Sequence, residues 1–175
     1  MSLSFDFKNK NGFSLAEVII TLVIIAIIST IIISKTGTFS TDLISQTEIL
    51  KAHIRHAQAL GMTGADSNDI CGVKCDTAFY WMFKGNDPDT NIIMLPDDQR
   101  YNTGNDGKLD LAEKKIAIGT TFTVFFDPRG IPYSAYSDAS ANTPLVSDLT
   151  INVTPAGEVS PTEPIIITQH TGFIP

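Results

Sequence analysis

The chain has 175 residues and a net charge of −7. Residues 1–12 carry Lys8 and Lys10 against Asp6, and Phe13 to Leu60 balances Glu17, Asp42 and Glu48 with Lys35, Lys51 and Arg55, so the excess acid lies further on. An acidic surface favours solubility and disfavours sequence-independent binding to nucleic acid, which rests on phosphate neutralisation by Lys and Arg. The sequence also lacks a nucleophile elbow, a phosphate-cradling glycine loop and a zincin motif, so no enzyme is expected.

The N-terminus reads Gly12-Phe13-Ser14-Leu15-Ala16-Glu17 and continues as an almost wholly apolar run to Ser34. An ordinary secretory signal is cut after its apolar segment, which is then discarded. Here the plausible cut lies before it, after Gly12, and would leave Phe13 as the first residue of a hydrophobic helix. Phe13 to Ser34 as a helix measures about 33 Å, enough for a bilayer core of roughly 30 Å. Lipid forces these Ile and Val residues into a helix, because backbone groups must be satisfied within the segment. Lys8 and Lys10 are expected to stay cytoplasmic, with the rest of the chain facing the periplasm or exterior. Glu17 is the one acid in the span, and a carboxylate there costs roughly 2.5 to 3.5 kcal/mol on insertion scales, so it needs a partner. Cleavage after Gly12 creates the nearest cation, the α-amine of Phe13.

Cut site, phenylalanine, glutamate spacing and apolar run together resemble the prepilin signal of type IV pilins and type II secretion pseudopilins. The resemblance implies cleavage by prepilin peptidase and N-methylation of Phe13. It also implies pairing of Glu17 with the terminal amine of a neighbouring subunit. Many pilins carry a proline near the end of the apolar run; Ser34 stands there in this chain.

From Lys35 the pattern becomes amphipathic, with Leu43, Ile44, Thr47, Leu50, Ile54, Ala57 and Leu60 at three- and four-residue steps. The helix is therefore expected to run to about Leu60, its second half packed on a domain. The expected organisation is a leader over 1–12, a transmembrane half-helix over 13–34, an amphipathic half-helix over 35–60 and a β-rich domain over 61–175. Strands are expected at Thr77–Phe83, Asn91–Leu95, Thr120–Phe126, Leu149–Val153 and Pro164–Thr168, between turns rich in Pro, Gly and Asp. The fold class is α+β, a long N-terminal helix on an antiparallel sheet. Trp81, among Phe79, Tyr80, Met82 and Phe83, reads as core strand.

The aromatic strand Thr121 to Phe126 enters Asp127-Pro128-Arg129-Gly130, with Pro and Gly at the second and fourth places of a type I turn. A second strand, Leu149 to Val153, leads to Pro155-Ala156-Gly157-Glu158-Val159. The pair resembles the C-terminal domain of the GspH/FimT-like group of minor pseudopilins and pilins, which implies a β-sandwich-like pair of sheets packed on the helix.

Cys71 and Cys75 are the only cysteines. In an oxidising periplasm a local disulfide is the expected state, against free thiols or metal ligation. His53 and His56 share a helix face and read as partly exposed surface residues. The stretch Asn102 to Glu113 aligns with an EF-hand loop, placing Asn102, Asp106, Asp110 and Glu113 at the first, fifth, ninth and last positions. Gly104 at the third position removes one ligand, so a calcium loop stands beside a solvated polar turn.

The expected protein is thus a structural, minor subunit. It would wait in the bacterial inner membrane with its C-terminal domain in the periplasm, then enter a pilus or pseudopilus. Its partners would be other pilin or pseudopilin subunits, prepilin peptidase and an inner-membrane assembly platform. A DNA-binding minor pilin is the alternative from another class, although Pro161 to Pro175 contains no Lys or Arg. A major pilin is the other alternative.

Overall fold

The computed structural model describes residues 14–64, 69–96 and 107–175, with the side chains of 30–40 excepted. Two compact units make up the chain, Met1–Thr38 and Phe39–Pro175. One helix, α1 (Leu15–Met62), belongs to both.

In the first unit, every residue of α1 whose side chain is described, up to Ser29, is exposed. The apolar residues from Leu15 to Ile28 show no buried stripe.

The second unit behaves differently. Leu43, Thr47, Leu50, Ile54 and Ala57 are buried along one face of α1, repeating at the three- and four-residue steps of a packed helix. Ile44 was expected on that face but is 50 % exposed, because its position lies a full 100° round the helix from Leu43. Gly61 extends the stripe, and a Cβ there would press on the Phe126 carbonyl. The chain leaves the helix through hydrogen bonds from the Thr63 and Gly64 N–H groups to Ala59, Leu60 and Gly61 carbonyls.

Among the described residues ten strands follow: β1 (Cys71–Cys75), β2 (Phe79–Lys84), β3 (Ile92–Ile93), β4 (Leu109–Asp110), β5 (Ile116–Ile118), β6 (Phe122–Phe126), β7 (Pro132–Tyr136), β8 (Asn142–Pro144), β9 (Leu149–Pro155) and β10 (Glu163–Ile167). The larger sheet has the order β3-β2-β1-β6-β7-β8, with β4 also on β2; the smaller is β10-β9-β5. All pairings are antiparallel. The α+β reading therefore holds.

Side chains alternate across the larger sheet and both faces are covered. One face supplies Val73, Cys75, Tyr80, Met82, Val124 and Phe126 to a core shared with the α1 stripe and with Ile151, Val153, Ile165 and Ile167 of the smaller sheet. The other face holds Trp81, Phe83, Phe125, Tyr133 and Tyr136. Trp81 is 1 % exposed, as expected of a core strand, and its indole N–H donates to the Pro88 carbonyl at 2.7 Å. Phe83 and Phe125 meet edge to face with centroids 5.1 Å apart. Gly72 of β1 sits between them in register. A Cβ at Gly72 would collide with the Phe83 ring and the Val124 carbonyl, so the glycine is required for close approach rather than for backbone freedom.

Central strand β1 was not expected. Its sequence, Cys-Gly-Val-Lys-Cys, read as a disulfide-closed loop, yet it is the middle of the larger sheet. Edge strands are short or carry proline, Pro144 in β8 and Pro164 in β10, which blunts them against further pairing.

Candidate functional site

The N-terminal end of α1 is built by a capping arrangement. The Glu17 N–H donates to Ser14 Oγ at 3.2 Å and to the Ser14 carbonyl at 3.0 Å, while Val18 N–H reaches the same carbonyl at 3.2 Å. Ser14-Leu15-Ala16-Glu17 is thus a Ser-x-x-Glu cap, with serine satisfying an otherwise orphaned donor and an acid in the first turn, where the helix dipole favours it. In the sequence Ser14 stands within the cut-site string. Its role was legible, because serine three residues before a glutamate at the head of an apolar run is a helix-start signal.

Beyond the cap the helix surface is apolar on every side. Leu15 is 81 % exposed, and Ile19, Ile20, Leu22, Val23, Ile25 and Ile27 each exceed half exposure. The two hydroxyls here are satisfied internally: Thr21 donates to the Val18 carbonyl at 2.9 Å and Ser29 to the Ile25 carbonyl at 2.7 Å. Among the described residues nothing hydrogen-bonds the Glu17 carboxylate. A helix apolar all round is stable only inside protein or lipid, and a contiguous apolar surface of this extent marks an association site. Gly12 and Phe13, the expected cut, lie outside the described residues. Among the described residues no helix is long and apolar enough to cross a membrane; the described side chains end at Ser29, short of the expected Phe13–Ser34 span.

The expected disulfide is corrected. Cys71 and Cys75 are both free and buried, at the two ends of β1. A strand advances about 3.3 Å per residue, so four steps set their Cα atoms about 13 Å apart, whereas a disulfide needs them within roughly 7 Å. Burial pushes the Cys75 thiol up to about 12, with Asp76 adding to the rise. It also raises Cys71, where Lys84 pulls the other way.

His53 is a second correction. It is 1 % exposed, and its Nδ1 lies 2.8 Å from the Tyr80 hydroxyl, joining α1 to β2. His56 is exposed, so the two histidines do not act together.

Of the calcium-loop residues, Asn102 and Asp106 lie outside the described residues. Asp110 Oδ1 accepts a hydrogen bond from the Ala112 N–H at 2.8 Å, and Glu113 is exposed on the turn after β4. Gly107 takes φ +76, as a tight loop demands.

The Asp127 turn forms as expected, with the Gly130 N–H donating to the Asp127 carbonyl at 2.8 Å. Gly130 has φ +77. Asp127 is 4 % exposed, and its carboxylate is saturated. Oδ1 accepts from the Arg129 and Ile131 N–H groups at 2.9 Å. Oδ2 accepts from the Arg129 guanidinium at 2.8 and 2.9 Å and from the Tyr133 hydroxyl at 3.2 Å. The same contacts raise Arg129 above its ordinary value. Gln58 of α1 then donates to the Gly130 carbonyl at 2.9 Å and the Thr171 carbonyl at 3.2 Å, and Arg55 donates to the Ile174 carbonyl at 3.0 and 3.2 Å. Hairpin and C-terminal tail are both clasped to the helix, an arrangement that serves packing.

No curated protein and no solved structure matches the chain. The family model of the prokaryotic N-terminal methylation motif matches residues 7–33. That match covers the expected cut, the capped helix start, Glu17 and most of the apolar run. The chain carries a type IV pilin-like prepilin signal, and with it the mark of a protein processed by prepilin peptidase and assembled with other pilin-like subunits.

Proposed function

We propose that the mature chain is a minor structural subunit of a type IV pilus or type II secretion pseudopilus, of the GspH/FimT-like kind. Cleavage after Gly12 frees the Phe13 amine, which is methylated, and the segment from Phe13 to Ser34 holds the subunit in the inner membrane until it is extracted into the filament. The acidic β-rich domain faces the periplasm and then the filament surface. The assembly reading is carried by one observation: the first stretch of α1, Leu15 to Ser29, is exposed and apolar on all sides, and its single acid, Glu17, has no hydrogen-bonding partner among the described residues, inside the matched methylation motif. A neighbouring subunit's terminal amine would supply that partner, and its apolar helix the surrounding surface. Calcium at Asn102, Asp106, Asp110 and Glu113 is a separate proposal, resting on the spacing of that loop.

Incorporation into sheared filaments or pseudopilus preparations tests the assembly role. Glu17→Ala and Glu17→Gln are expected to be made, processed and retained in the membrane, yet to be lost from the filament fraction. Normal incorporation of both would remove Glu17 from assembly.

A further inference from the structure

The two cysteines occupy the ends of the one strand on which both halves of the larger sheet depend. β1 pairs with β2 from Cys71↔Lys84 to Cys75↔Tyr80 and with β6 from Cys71↔Phe126 to Cys75↔Phe122. Both thiols are nearly inaccessible, at 2 % and 1 % exposure. Folding therefore holds them apart and hides them.

The unfolded chain has neither protection. Cys71-Gly72-Val73-Lys74-Cys75 is a short segment with a glycine next to the first cysteine, free to bend. With only two cysteines in 175 residues, oxidation within one chain has one product. Closing it would bring Cα atoms about 13 Å apart in the strand to within roughly 7 Å. β1 would then lose its extended form, and β2 and β6 would have no strand between them.

We propose that formation of the Cys71–Cys75 disulfide and formation of β1 are mutually exclusive, so that the chain folds only while both thiols are reduced and is locked out of the native sheet by oxidation beforehand. The oxidant is a disulfide-form thiol compound such as oxidised glutathione. One cysteine thiolate attacks its S–S bond and expels a thiolate, which takes up a proton. The second cysteine thiolate then attacks the mixed disulfide and expels the other thiolate. Two cysteine thiols are oxidised and one small disulfide becomes two small thiols, so electrons and protons balance. Once β1 is in place the thiols are buried and poorly ionised, and exchange stops. In an exported chain this makes a thiol reductant or isomerase a required partner whenever oxidation outruns folding. The inference goes beyond the assembly reading and uses it only for where the chain meets an oxidant.

The test uses the full chain in detergent, unfolded in guanidinium with reductant, then refolded by dilution into reduced or oxidised glutathione. Fluorescence of Trp81, the only tryptophan, and far-ultraviolet circular dichroism read native yield; peptide mapping locates the bond. Reduced glutathione is expected to restore the native signal, and oxidised glutathione to give the 71–75 disulfide with essentially complete loss of that signal, reversed by added reductant. A variant carrying both Cys71→Ser and Cys75→Ala, with no thiol to form either the ring or a mixed disulfide, is expected to refold equally in both buffers; Cys71→Ala with Cys75→Ala serves if that pair fails to fold. Native signal from a chain shown to contain the 71–75 bond would overturn the proposal. So would a loss in oxidised glutathione that a foldable cysteine-free variant shares.

Discussion

Two stretches of α1 have similar secondary structure and opposite environments. Between Leu15 and Ile28 the apolar residues are exposed all round; further on, Leu43, Leu50, Ile54 and Ala57 form a single buried stripe on the domain's own sheets, while Ile44 stays on the outer side. The difference lies in periodicity. Residues 15–28 offer no polar face, so they need surroundings that are apolar in every direction. Residues 43–61 offer one apolar face and find its complement within the chain. The first stretch is built for association and the second for folding, and substitutions should separate the two.

The largest effect on domain stability is expected in the buried stripe. Leu50→Ala and Ile54→Ala, both at sites with 0 % exposure, should each destabilise the domain by about 2–5 kcal/mol, read as a fall in the denaturation midpoint with an unchanged slope. Ile24→Ala, half exposed in the first stretch, should leave that midpoint within about 0.5 kcal/mol of wild type. A comparable cost at Ile24 would mean that this residue is also part of a folded core.

The clasp that ties hairpin and tail to the helix comes next. Gln58→Ala removes the donor shared by Gly130 and Thr171 and should cost about 1–2 kcal/mol in thermal denaturation.

Alkaline pH sharpens the account of the buried thiols. The Cys75 thiol rises from 9.0 to about 12 on folding, so its unfolded form loses a proton first. Its contribution to stability is present below pH 9 and is lost as pH rises from 9 toward 12. Tyr133 and Tyr136 are also raised by burial and act in the same direction. Denaturation midpoints should fall across that window, and Cys75→Ala should show a shallower fall.

Calcium should give a conditional effect. If the loop binds it, saturation to about 100 times the dissociation constant would add about 2.7 kcal/mol, seen as a higher melting temperature that Asp106→Ala abolishes.

What could be read from the chain follows the reach of each signal. Gly12, Phe13 and Glu17 form a local string, so the processing motif was readable without a fold. The helix stripe, the Asp127 turn and the strands around Trp81, Phe125, Ile151 and Ile165 were also visible, because their periodicity or turn chemistry is local. β1 was not: a five-residue segment with Gly72 in it is a strand because it pairs with β2 on one side and β6 on the other, and the Phe83 ring fills the space over that glycine. The same miss produced the disulfide expectation, since the cysteines look adjacent in sequence and are held apart only by the sheet. His53 was misread because its partner, Tyr80, arrives from a strand 27 residues away. β7 begins at a proline, a position strands tolerate but rarely advertise. For Asn102 and Asp106 the expectation lies outside the described residues.

The most direct test of the central claim is mass spectrometry of the N-terminus of the mature protein isolated from its own cells. A chain beginning at N-methylated Phe13, with the apolar segment retained, is the predicted result. A chain that keeps residues 1–12, or begins beyond Ser34 because the apolar segment was removed, would contradict it.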